Sequence, residues 1–145
     1  MTTPNGATAL ELIPLCSVDV TLTTPIVIGE GPSGLRLVYE VERMKISGDR
    51  LRGTSKGQAT ADWVTVVGSV GTIDVRGTFE TDDGALIYGQ YRGRTDVSSG
   101  AGAPIYVAPL FETGDERYAW LNAIQAVGKG VVDGTELHYE WFEVR

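Results

Sequence analysis

The segment IDVRGTFETDDGALIYGQYRGR, residues 73–94, decides the fold. Its middle, Asp82-Asp83-Gly84, reads as a three-residue hairpin loop with Gly84 at the left-handed position such a loop requires. That register opposes Thr81 to Ala85, Phe79 to Ile87, Gly77 to Gly89 and Val75 to Tyr91, making one mostly apolar face. The other face pairs Glu80 with Leu86, Thr78 with Tyr88, Arg76 with Gln90 and Asp74 with Arg92. A two-residue loop would set Val75 against Arg92 and Phe79 against Tyr88, mixing classes that cross-strand pairing keeps apart. The hairpin therefore carries a polar stripe: Asp74, Arg76, Thr78, Glu80, Tyr88, Gln90 and Arg92. Two orientations are open to it. A half-exposed sheet turns such a stripe to solvent; a ligand-binding barrel turns it into the lumen.

Short alternating runs with turn signals continue in both directions. Strands are expected near Leu10–Leu22, Leu35–Ile46, Arg50–Lys56, Asp62–Val67, Ile73–Thr81, Ala85–Arg94, Pro104–Phe111, Ile124–Val132 and Glu136–Val144. Turns fall at Gly31-Pro32-Ser33-Gly34, Ser47-Gly48-Asp49, Asp82-Asp83-Gly84 and Asp133-Gly134, and Ser98 to Gly102 is a small-residue loop. One short helix is expected over Glu116–Asn122, opened by a Thr113-x-x-Glu116 capping box. Many neighbouring strands with few helices to cover their edges favour closure. The expected fold is all-β: a single antiparallel closed barrel of about eight or nine strands with one short helix. A two-sheet sandwich is the alternative.

Composition bounds the function. The 145 residues suit one domain, read as residues 9–145 behind a polar tail over residues 1–8. With 42% hydrophobic and 21% charged residues the chain can fill a core without staples. A net charge of −7 with scattered basic residues argues against nucleic acid. No apolar run approaches the ~20 residues of a membrane span, and the first residues lack a signal-peptide pattern, so the cytoplasm is the expected location. A single cysteine, Cys16, and a single histidine, His138, exclude an internal disulfide and the usual zinc ligand sets. Cys16 reads as a small buried hydrophobe and His138 as a surface group. Neither a metal nor an organic cofactor is expected.

Several blocks resemble the family called domain of unknown function 3237. They are Gly57-x-x-x-x-Asp62-Trp63; Asp74-x-Arg76 leading into Thr81-Asp82-Asp83-Gly84-Ala85-Leu86-Ile87-Tyr88; Phe111-Glu112-Thr113-Gly114; Arg117-Tyr118-Ala119-Trp120-Leu121-Asn122; and Gly128-x-Gly130. The resemblance spans nearly all of the chain after the tail and implies a small antiparallel β-barrel with no settled activity. It also favours the lumen for the stripe, because Asp74, Arg76 and Tyr88 coincide with recurring polar positions of that family.

On this reading Asp74, Arg76 and Tyr88 are the candidate catalytic residues, and Asp62, Trp63, Thr78, Arg92, Tyr118, Trp120 and Asn122 the candidate binding residues. A buried Asp can take a proton beside a carbonyl while Tyr or Arg holds the developing oxyanion. Arg76, opposite uncharged Gln90, has donors to spare for a ligand carboxylate, carbonyl or enolate. The bland assignments are a structural Asp74–Arg92 ion pair, turn-forming roles for Asp82 and Asp83, helix-start roles for Glu112, Thr113 and Glu116, and packing for Trp63, Tyr118, Trp120 and Trp141. The expected function is small-molecule binding, best read as a cofactor-free isomerase, cyclase or lyase. The alternatives are a carrier barrel for an aromatic or carbonyl metabolite and a structural domain that pairs with further copies of itself. An open lumen faced by a carboxylate favours the enzyme, a purely apolar one the carrier, and a filled one the structural domain.

Overall fold

The computed structural model describes residues 9–145; the tail expected over residues 1–8 lies outside them. Eleven strands follow in order: β1 (Leu12–Leu22), β2 (Ile26–Gly31), β3 (Gly34–Ser47), β4 (Gly53–Ser55), β5 (Ala61–Val67), β6 (Val70–Thr81), β7 (Leu86–Asp96), β8 (Ile105–Val107), β9 (Leu110–Glu112), β10 (Ala126–Asp133) and β11 (Glu136–Val144). Eight of them close an antiparallel barrel in the order β1-β3-β5-β6-β7-β8-β10-β11, with β11 returning to β1. The other three are annexes. β2 pairs only with β3, β4 bridges β3 and β6, and β9 extends the β8 edge along β7.

The central hairpin has the expected register throughout, from Asp74↔Arg92 through Val75↔Tyr91 and Thr78↔Tyr88 to Glu80↔Leu86. Gly84 stands at φ 92° and Thr81 N–H donates to Ala85 O at 2.8 Å, closing the three-residue loop. The stripe's orientation is the reverse of the one expected. Ile73, Val75, Phe79, Ile87 and Tyr91 point inward and are at most 5% exposed, while Arg76, Leu86, Gln90 and Arg92 are exposed. Asp74, Thr78, Glu80 and Tyr88 are half-buried on the same outer face. Energetics decide the matter. Burying the apolar row gains about 25 cal/mol per Å², whereas burying two carboxylates and two guanidiniums forfeits their hydration.

Half of the interior is filled. Tyr91 meets Tyr139 edge-on at 5.7 Å and Trp141 at 5.3 Å, and Phe111 closes the cluster 5.9 Å from Trp141. The Gly128-x-Gly130 pair explains how these rings fit. Gly128 lies opposite Trp141 and Gly130 opposite Tyr139, and a Cβ at either glycine would drive into the ring.

Other expectations need correction. No strand is expected at Ile26, yet the apolar run there forms β2, whose free edge exposes Ile26, Val27 and Ile28. The single strand expected over Pro104–Phe111 is two, β8 and β9, because Pro109 has no N–H to give the ladder. The short helix stands where it is expected, as a 3-10 helix over Glu116–Ala123, and a further 3-10 turn occupies Val97–Ser99. The cap of the Glu116–Ala123 helix is Asp115, whose Oδ1 accepts from Arg117 N–H at 3.0 Å. Thr113 does not form the expected box, because its hydroxyl donates to Leu86 O and accepts from Asp115 N–H.

Candidate functional site

Alternation along β5 turns Asp62, Val64 and Val66 inward. Asp62 stands opposite Tyr39 on β3 and Val75 on β6, and Val75 opposite Tyr91 on β7. One inner row therefore reads Tyr39, Asp62, Val75, Tyr91. The β5–β6 ladder skips Trp63 and Val64. There Asp74 N–H donates to Asp62 Oδ1 at 2.9 Å, so the side chain serves where a strand carbonyl is missing. That bond fixes the carboxylate at the boundary between the filled and the open half of the barrel.

The open half is a cavity of about 310 Å³. Its walls are mostly aliphatic, with Leu22, Leu37, Val64, Ile73, Val132 and Leu137. Asp62, Tyr39 and Tyr139 bring the polar groups. Val97, Gly100 and Gly102 of the small-residue loop border the mouth, beside Asp96. Asp62 is only 9% exposed. Burial pushes its carboxyl up from the ordinary 3.8 to about 6; the Asp74 N–H opposes the rise and the Asp74 charge adds to it. Tyr139 is raised by burial and then by the nearby Asp62 charge, and Tyr91 by burial, by Tyr139 and by Asp62. Both phenols therefore stay protonated and can donate. A carboxylate poised near neutrality beside phenols is an acid–base arrangement.

The residues expected to carry chemistry divide sharply. Asp62 alone among them lines the lumen cavity. Arg76 lies outside, its guanidinium 4.8 Å from the centre of the Trp63 ring. Asp74 and Arg92 are register partners but form no ion pair within 4.0 Å, and Glu80 is nearest to Lys56 at 3.7 Å. Tyr88 Oη donates to Gln90 Oε1 at 3.0 Å on the outer surface. Thr78, Tyr88 and Asn122 line a shallow outer groove with Glu112 and Thr113, too open to enclose a ligand.

Tyr118, Trp120 and Asn122 hold the fold together. Tyr118 Oη donates to Asp83 Oδ1 at 2.9 Å and Arg117 Nη1 to Asp83 O at 2.9 Å, clamping the central hairpin loop. Asn122 exchanges two hydrogen bonds with the Thr113 backbone. Trp120 is half-buried against the core under Arg50, 5.2 Å away. Asp83 is thus the turn group expected of it. Cys16 is buried and its thiol is pushed up to about 12 by burial and by the Glu140 charge, which leaves it unreactive.

Sequence reasoning missed Tyr39, Tyr91 and Tyr139 as neighbours of Asp62. The signal lay in β11, where Leu137, Tyr139 and Trp141 alternate with His138 and Glu140. Among the described residues, no helix is long and apolar enough to cross a membrane, and no group of three or more His, Cys, Asp or Glu is placed to hold a metal ion.

The barrel has counterparts among solved structures. A β-barrel-like protein of Acinetobacter baumannii AYE is 27% identical, with a TM-score of 0.87 over the full length of both chains. A conserved protein of unknown function from Rhodopseudomonas palustris is 21% identical, with a TM-score of 0.87 over 99% of this chain and all of the other. An enzyme from Penicillium herquei is 23% identical, with a TM-score of 0.71 over 99% of this chain and 98% of the other. The last two bear on the fold alone. No curated protein matches the chain. The family model described as "Protein of unknown function (DUF3237)" matches residues 10–144, and the chain belongs to that family.

Proposed function

We propose that the chain binds a small molecule in the open half of its barrel, and that Asp62 acts there as general base and then general acid, without an organic cofactor. The observation that carries this reading is a buried carboxylate, fixed by the Asp74 N–H, at the floor of a 310 Å³ cavity beside Tyr39 and Tyr139. Ionised Asp62 takes a proton from the carbon next to a carbonyl. The C–H pair becomes the enolate double bond, and the oxygen takes the charge and accepts a hydrogen bond from a phenol. Returning the proton to another carbon gives an isomerase. Attack of the enolate on an internal electrophile gives a cyclase, and expulsion of a β-substituent gives a lyase.

Exchange of the α-protons of 2-tetralone for deuterium in D2O, followed by proton NMR, tests the reading. The wild-type chain speeds exchange above the buffer rate, and Asp62→Asn loses about 10²–10⁴-fold of that gain. Wild type no faster than buffer, or an equally active Asn variant, overturns it. The aliphatic walls favour a second reading, a carrier that holds a metabolite unchanged. Tight binding of 2-tetralone with no exchange would establish that one.

A further inference from the structure

We infer that the lumen selects uncharged ligands and rejects anions, an inference that rests on the binding reading above. Among the described residues no Lys, Arg or His lines the cavity, and of its two carboxylates Asp62 is buried in mid-strand while Asp96 is exposed at the end of β7. This is a consequence of register. Leu37, Tyr39, Ile73 and Tyr91 take the inward positions, so Arg36, Arg92 and Arg94 of the same strands fall on outward ones. The expectation of a ligand carboxylate held by Arg76 is thereby reversed, since that guanidinium is spent outside on Trp63.

Asp96 guards the entrance in its ionised form. Its oxygens accept from Ser98 N–H at 3.0 Å, Ser98 Oγ at 2.6 Å and Ser99 Oγ at 3.2 Å, and these bonds hold its carboxyl below the usual range. An entering carboxylate or phosphate would pass one negative charge, approach another and find no cation, within walls too apolar to screen it. The ligand class that fits is a mainly apolar, uncharged molecule of two or three rings, in keeping with a cavity near the small end of ligand pockets. One carbonyl or hydroxyl meets Asp62 and the phenols.

Three probes on one ring system separate the outcomes: 2-naphthol, 2-naphthoate and 2-naphthylmethylammonium, titrated by fluorescence near pH 7.5. The neutral probe binds at least tenfold tighter than either ion. Asp62→Asn narrows the gap between naphthol and naphthoate severalfold, and so does lowering the pH to about 5, where Asp62 protonates while naphthoate keeps its charge. The groups facing Asp62 are Tyr39, Tyr91, Tyr139, and Asp74 through both its backbone N–H and its charge; Tyr91 and Tyr139, raised by burial, keep their protons in that window. Naphthoate binding as tightly as naphthol, or the ammonium binding tightest, overturns the inference. Failure of all three probes to bind overturns it and the binding reading together. Selective naphthol binding without 2-tetralone exchange would sink only the catalytic reading.

Discussion

The Asp62→Asn substitution removes one buried charge and keeps an acceptor oxygen for Asp74 N–H. Its effect on stability follows from the carboxyl's rise from 3.8 to about 6 on folding. Below 3.8 the group is protonated in both states and costs nothing. As pH rises from there, the unfolded chain ionises first, so the folded state loses stability until about pH 6. Above that the cost is complete, about 3 kcal/mol at about 1.4 kcal/mol per pH unit. The Asn variant should therefore be more stable than wild type near pH 8 by up to about 3 kcal/mol, or ~10 °C in melting temperature for a domain of this size. Near pH 3.5 the two should coincide. Urea unfolding followed by tryptophan fluorescence at both pH values measures the difference. An Asn variant equal to or weaker than wild type near pH 8, or an advantage that does not change with pH, would refute the reasoning. A gain would mark Asp62 as a group kept at the expense of stability, as functional groups commonly are.

Three other substitutions and titrations bear on the account. His138 sits between Asp19 and Glu140, its ring nitrogens 2.7 Å from each, and the Asp19 bond and then the Glu140 bond raise its pKa above 6.5. Its stabilising contribution is complete below 6.5 and is lost as pH rises through the raised value; an imidazole NMR titration with its midpoint at or below 6.5 would contradict this. Arg76→Gln should forfeit only the Trp63 contact, about 0.5–1 kcal/mol, and leave 2-naphthol affinity unchanged; a marked loss of affinity would return Arg76 to the site. Gly128→Ala pushes a Cβ into Trp141 and should cost about 1–3 kcal/mol by chemical denaturation, and a neutral result would show that the aromatic cluster is loosely packed.

The hairpin register was legible because two local signals agreed, the left-handed Gly84 and the separation of apolar from polar pairs. Alternation separates two faces but does not say which is inside. The apolar row of Ile73, Val75, Phe79, Ile87 and Tyr91 answers that by bulk, against a row that carries four charged groups. Asp62 was legible as a candidate but not as the lumen carboxylate. In Ala61-Asp62-Trp63-Val64 the large Trp63 competes for the inward position, yet it lies on the outer face, its ring under the guanidinium of Arg76. The Tyr118, Trp120 and Asn122 block was recognisable as a unit, but its role as a clamp on the hairpin loop depends on contacts 35 residues apart in sequence. Strand β2 escaped because Pro25 and Gly29 bracket a run of only three apolar residues.

The most direct measurement is a carbon-13 NMR titration of the Asp62 side-chain carboxyl, with and without 2-naphthol. The account predicts a midpoint of about 6 in the free chain and a displaced midpoint when the probe is bound. A midpoint near 3.8 that the probe leaves unmoved would contradict it.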